Sequence, residues 1–505
     1  MLLPTFQVGA YQDDALYINL AHALAENHGY VDLMRIGDPP HTFVPPVYPL
    51  MLAPLLIVFP YEWLEVVNFW PLQVMSTLLV LGGIGCFAVV LRERKIAEWL
   101  LVLALTALAP VTVGMARHIM TEAPYFFFSI AALAALLTWQ NRSRSLAWII
   151  VALVLAGLAS TTRLIGLSLL GAISFFLWRR LSPFRWLAAS MALFAPITIW
   201  FARNVVLGTA VAGEYATGLT PTSTDGFAYA LAANFTSILT TVLPNGLLPG
   251  LSGPQALTIV TQLGIGFVPV AMGVGVTGVV LIGFLYALQS HAEDWVVELY
   301  LALYISILLV TQFALEGGER YLAPIFPFLV LYFWQGATWL LQRLPGFRSP
   351  VRVTRTMAVV AALFVALYLA RGVQAVMQPV RDRLPDVTLG TTWLRENAPQ
   401  DAVIMATGPR EVYLYAQRKV IPFPASTADR AVMAQRIACS QADYVLVRPR
   451  MAPGAPQWDD ATTQFIAPAL DASHAGFALV YTSEDELARV YQILPSETTK
   501  CDAAP

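Results

Sequence analysis

The chain has 505 residues, of which 57% are hydrophobic and only 12% charged, about half the charged share of an ordinary soluble domain. So few charges cannot clothe a soluble body of this size, and most of the chain is expected to meet lipid. A net charge of −2, from 30 basic and 32 acidic residues, speaks against a nucleic-acid partner, and three cysteines (Cys86, Cys439, Cys501) without metal-ligand spacing or obvious pairing speak against a zinc ribbon or a disulfide framework.

The first expected element is a short amphipathic helix, 15–26, with Leu16, Leu20, Ala23 and Leu24 on one face. Asp13 and Asp14 stand at its first turn. Helix capping and the helix dipole account for such a doublet, and so does a general base beside a lipid headgroup. The stretch 44–60 is apolar but carries Pro45, Pro46, Pro49 and Pro54. It reads as an interfacial or re-entrant helix.

Ten uncharged apolar stretches follow that can cross about 30 Å of hydrocarbon. They are roughly 65–91, 97–115, 121–139, 146–162, 164–178, 186–203, 262–288, 296–314, 321–342 and 355–375. Basic loops at Arg92–Arg94–Lys95, Arg142–Arg144, Arg179–Arg180–Arg185 and Arg343–Arg348–Arg352–Arg355 alternate in register and belong on the cytoplasmic side. The opposite side then holds 1–64, a large loop 204–261 and the tail 376–505. Both chain ends fall outside, so a further span upstream of Met1 is expected; no signal peptide is visible.

The tail 376–505 reads as a small α/β domain. Helices are expected at 387–396, 411–416, 428–439 and 461–470, and strands at 402–406, 444–447, 477–481 and 488–493. It has neither a G-x-G-x-x-G fingerprint nor a P-loop. The fold class is therefore a polytopic α-helical membrane protein with an outer juxtamembrane helical loop and a C-terminal soluble α/β domain.

Several segments in order resemble the glycosyltransferase C superfamily of membrane sugar transferases, which includes protein mannosyltransferases and aminoarabinose transferases. They are Asp13-Asp14-x-x-Tyr17 with Gly29-Tyr30, Pro45-Pro46-Val47-Tyr48-Pro49-Leu50, Met120-Thr121-Glu122-Ala123-Pro124, and Gly157 to Arg163. Arg203-Asn204, Arg320-Tyr321-Leu322-Ala323-Pro324, and Trp393-Leu394-Arg395-Glu396-Asn397 with Asp401 to Ile404 continue the series. The resemblance covers nearly the whole chain, although the superfamily's first span is absent from it. It implies a bacterial inner-membrane enzyme, a hexosyl- or pentosyltransferase with its site and tail outside the cytoplasm. Such an enzyme takes a polyprenyl-phosphate sugar as donor, a glycan, lipid or protein hydroxyl as acceptor, and inverts the anomeric centre.

Carried over residue by residue, the resemblance makes Asp13 the base, with Asp14 as alternative because the doublet leaves the register open. Glu122 orients substrate or helps the base. Arg320 and Arg203 lead as ligands of the lipid phosphate, with Tyr321 as a hydroxyl donor and Arg163 and Arg117 beside them. No cofactor is expected, and no metal, because His22, His28, His41 and His118 lack ligand spacing. The competing readings are a transporter or flippase, and a polymerase or ligase of polyprenyl-linked glycans. Transport usually leaves ionisable groups inside spans, whereas here the span centres are clear of charge.

Overall fold

A computed structural model describes residues 8–9, 11–142, 144–208, 224–248, 267–290, 295–310, 318–347, 349–377, 385–449, 458–473, 476–484 and 486–494. The chain forms two compact units, one of residues 42–48 and 73–377, the other of residues 1–41, 49–72 and 378–505.

The first unit is helical because lipid offers no hydrogen-bond partners, so an apolar backbone must satisfy its own N–H and C=O groups. Among the described residues seven helices are long and apolar enough to cross a membrane: Trp70–Glu93, Glu122–Asn141, Pro183–Val206, Phe227–Leu247, Val270–Ser290, Arg320–Arg343 and Pro350–Val373. An eighth is bent by 56° between Trp99–Leu108 and Pro110–Arg117. Pro110 has no N–H to continue the first segment and instead opens the second. This is the body of a multi-pass membrane protein.

Two features differ from the expected spans. Leu146–Ser160, Leu164–Trp178 and Val296–Val310 are shorter helices, each within 10–17 residues. Phe227–Leu247 lies where only a long loop was expected, and it has the length and hydropathy of a span. Its partners are spread over several helices: the Thr277 hydroxyl donates to the Leu239 carbonyl (2.9 Å) and the Tyr368 hydroxyl to that of Leu247 (2.8 Å). Asn234 donates to the carbonyl of Leu309, one residue from the end of Val296–Val310 (3.1 Å). A Cβ on Gly246 would touch the Phe326 ring at 3.3 Å, where the helix Phe326–Arg343 begins.

Elsewhere the unit is closed by backbone contact and by one buried ion pair. A Cβ on Gly283 would lie 1.8 Å from the Tyr332 carbonyl oxygen, and one on Gly336 2.0 Å from that of Val279. Only glycine lets these two helices approach so closely. Arg94, expected as a solvated loop charge, is 4% exposed. Its Nη2 donates to Glu298 Oε1 at 2.6 Å, and the Tyr332 hydroxyl donates to the same oxygen at 2.9 Å. Glu298 opens a neighbouring helix, and that carboxylate is what draws the guanidinium inward.

The second unit is built on a five-stranded sheet of β1 (Val403–Ala406), β2 (Lys419–Ile421), β3 (Tyr444–Val447), β4 (Phe477–Thr482) and β5 (Arg489–Ile493). The strand order is β2-β1-β3-β5-β4; β2, β1 and β3 are parallel, while β5 runs antiparallel to both β3 and β4. Side chains alternate between faces. Met405, Val445 and Tyr491 pack against Met433, Ile437 and Leu470, whereas Ile404, Leu446 and Val490 pack against Leu394 and Val412. The chain passes from β1 to β2 on one side and returns to β3 on the other, which makes the carboxyl ends of β1 and β3 a topological switch point. Cys439, for which the sequence offers no obvious pairing, is disulfide-bonded.

The same unit contains the N-terminal head. Its helix Asp13–Ala25 was expected to be amphipathic, but nine of its residues are buried, Asp14 through Ala21 and Ala23. The difference has a simple cause: the helix Pro409–Ala416, which follows β1, packs directly on it. Further ties are the Tyr61 hydroxyl to the Leu414 carbonyl (2.8 Å), Lys419 Nζ to the Leu33 carbonyl (2.8 Å) and the Val420 N–H to the Met34 carbonyl (2.8 Å). Head and tail form one body.

Candidate functional site

The head places its two carboxylates in different surroundings. Gln12 is the N-cap of Asp13–Ala25 and its side chain makes no capping bond, so the doublet begins the first turn itself. Asp13 has a side chain 31% exposed, and its Oδ1 accepts from Arg410 Nη1 at 3.0 Å. Asp14 is 1% exposed. Its Oδ2 accepts from the Gly9 N–H at 2.7 Å and its Oδ1 from the Ala15 N–H at 3.0 Å.

Burial, with smaller contributions from Asp13 and Glu411, pushes the Asp14 carboxyl from 3.8 up to about 7 despite those two amides. Folded protein therefore holds a proton that the unfolded chain has lost between about pH 4 and 7. Stability is full below that window, falls as pH rises through it, and is level above. The change amounts to about 4 kcal/mol at most. Thermal unfolding should show a clear loss between about pH 4 and 7 in the wild type and a nearly flat profile in Asp14→Asn. Parallel profiles would mean that Asp14 does not titrate in this range.

The second group lies in the helical unit. Glu122 opens the helix Glu122–Asn141 and is 2% exposed. Its Oε1 meets Arg163 Nη1 at 2.6 Å and Arg320 Nε at 2.5 Å. Arg163 follows the helix Leu146–Ser160, and Arg320 belongs to Gly318–Leu322. Both guanidiniums also lie over the Tyr321 ring, 5.5 and 5.6 Å from its centroid. Two arginines on one carboxylate leave a net charge of +1. Among the described contacts Glu122 thus serves chiefly to hold arginines side by side, not as an acid standing alone.

Arg117 ends the helix Pro110–Arg117 and acts with Glu122 and Arg320 on His118, whose imidazole burial lowers to about 4. His118 is therefore neutral at pH 7 and adds no charge. Arg203 is held by its own helix: Nη1 donates to Asn204 Oδ1 at 3.1 Å, and the guanidinium lies 5.0 Å over Trp200. Asn204 in turn donates to the Thr42 carbonyl at 3.0 Å. Among the described residues no three His, Cys, Asp or Glu side chains gather as metal ligands. His22 and His28 both face Glu26, and His41 Nδ1 meets Asp32 Oδ1 at 2.8 Å. Sequence reasoning missed Arg410, which no local motif marks.

No family model matches this sequence, and no curated protein does. Solved structures do. ArnT from Cupriavidus metallidurans, bound to undecaprenyl phosphate, matches with a TM-score of 0.57 at 13% identity, over 98% of this chain and 96% of that one. The oligosaccharyltransferase of Archaeoglobus fulgidus, in complex with Zn and sulfate, matches with a TM-score of 0.56 at 14% identity, over 86% of this chain. The archaeal oligosaccharyltransferase AglB from Archaeoglobus fulgidus, with an inhibitory peptide and a dolichol-phosphate, gives 0.54 at 14% identity over 87%. This chain spans 63% and 65% of those two proteins. The likeness is one of fold.

Proposed function

We propose that the protein is an inverting glycosyltransferase that moves a sugar from a polyprenyl-phosphate donor to an acceptor hydroxyl at the outer face of the cytoplasmic membrane. The observation that carries this reading is the Arg163–Glu122–Arg320 cluster, a fixed site of net positive charge at one end of an apolar helical unit. A departing lipid phosphate needs such pre-placed donors, and they act more strongly away from bulk water. The fold likeness to a structure holding undecaprenyl phosphate points to the same ligand chemistry.

In this reading the acceptor oxygen bonds to C1 of the sugar as the C1–O bond to phosphate breaks. Asp13, the exposed member of the doublet, takes the hydroxyl proton, and the arginines receive the lipid phosphate. A carboxylate within about 2.6–3.2 Å of the hydroxyl is enough for the proton transfer. Asp14, buried and held by backbone amides, shapes the turn. The Cys439 disulfide supports an oxidising, extracytoplasmic location for the tail. A flippase would draw on ionisable groups along a path through the unit. Here the named charged side chains, Glu122, Arg163 and Arg320 in one group and Arg94 with Glu298 in another, sit at helix ends.

The ligand claim is tested by thermal unfolding of the purified chain in detergent with polyprenyl phosphate or polyprenol. The phosphate should raise the unfolding midpoint, by an amount that grows with the logarithm of its concentration above Kd, and the uncharged alcohol should not. Equal effects of the two would remove the phosphate from the account.

A further inference from the structure

We infer that Arg410, from the helix Pro409–Ala416 of the tail, is a positioning residue for Asp13, so the α/β tail is part of the reacting head. The inference rests on Asp13 being the base, as proposed above.

The sheet delivers this arginine to its place. Helix Pro409–Ala416 starts immediately after β1, at the switch point, where Gly408 takes a left-handed turn (φ 66). A Cβ on Gly408 would stand 2.8 Å from Glu411 Oε1 and 3.0 Å from Gln12 Nε2. The crevice that this topology leaves open beyond β1 and β3 thus receives the turn that carries the aspartate doublet. Asn19, 4% exposed, donates to the Arg410 carbonyl at 3.0 Å. Arg448, at the end of β3, donates to Glu411 from the buried side.

These anchors hold the helix in place. From it the Arg410 side chain donates through Nη1 to one oxygen of Asp13 at 3.0 Å. The pair is partly open, with side chains 27% and 31% exposed. An ion pair of that kind adds little to stability. What it does fix is the carboxylate's direction, since the guanidinium donates from a rigid planar fork.

The test is a double-mutant cycle on the full chain in liposomes, using Asp13→Asn, Arg410→Ala, the two combined, and Arg410→Lys. Turnover and donor KM are followed with a radiolabelled polyprenyl-phosphate sugar and normalised to folded protein. Arg410→Ala should lower turnover about tenfold to a hundredfold, the scale of a misplaced reacting group, with donor KM changed less than about twofold. Arg410→Lys should recover part of the loss, and Arg410→Ala should cost nothing further in the Asp13→Asn background. If Arg410→Ala does not fold, Arg410→Gln is carried through the same cycle. Normal turnover in Arg410→Ala beside an inactive Asp13→Asn would overturn this inference and leave the base intact. An equal loss in both backgrounds would also overturn it, whereas full turnover in Asp13→Asn would remove the base itself.

Discussion

Replacing Asp13 with asparagine is expected to lower sugar transfer by 10²–10⁴-fold, the usual range for losing a general base. The amide keeps the shape and can still accept from Arg410, so the head should fold. Asp14→Asn gives the contrast. Its side chain lies against the Gly9 amide, 1% exposed, so the change should act on stability and its pH profile and alter turnover by only a few fold. A dead Asp14→Asn beside a normal Asp13→Asn would exchange the two roles and mean that the buried carboxyl moves to react.

Arg320→Ala is expected to weaken donor use by about tenfold to a hundredfold. A charge-assisted contact to phosphate contributes about 1.5–3 kcal/mol per bond, and the change also takes the Arg163–Glu122–Arg320 group from +1 to neutral. Lysine should recover part of this, since it keeps the charge but cannot reproduce the planar geometry. Arg203→Ala should have the smaller effect, because Arg203 lies over Trp200 and donates to Asn204. The check is the donor concentration dependence of transfer for the three variants. A normal dependence in Arg320→Ala would return that arginine to a purely structural pairing with Glu122.

The sequence pattern made much of this architecture legible, and for definite reasons. Strand 444–447 is found as Tyr444–Val447, a continuous apolar run whose four residues are all buried, and helix 387–396 lies within Pro385–Asn397. β2 escaped: its three residues, Lys419–Ile421, are too few for alternation to register. Phe227–Leu247 lies inside the expected loop 204–261, because Asn234, Thr236, Ser237, Thr240, Thr241 and Asn245 dilute its apolar run. Glu122 and Arg320 were both singled out, but their pairing was not foreseen. They stand 198 residues apart, and an ion pair leaves no local trace in sequence. Arg410 is harder still, at 397 residues from Asp13. It follows a strand whose position in the sheet fixes where it points, which only topology reveals. Asp13 and Asp14 differ in burial, with Asp13 partly open and Asp14 1% exposed, a difference that a doublet in sequence cannot express.

The central claim is transfer of sugar from a lipid phosphate, and one assay addresses it most directly. Purified full-length chain in liposomes is given a panel of radiolabelled polyprenyl-phosphate sugars with a membrane glycolipid and protein extract as acceptor. The account predicts that label from one donor moves to acceptor while an equal amount of polyprenyl phosphate accumulates, and that Arg320→Ala and Asp13→Asn suppress both together. Donor crossing the bilayer intact, with no label transferred and no polyprenyl phosphate formed, would contradict it and identify a flippase.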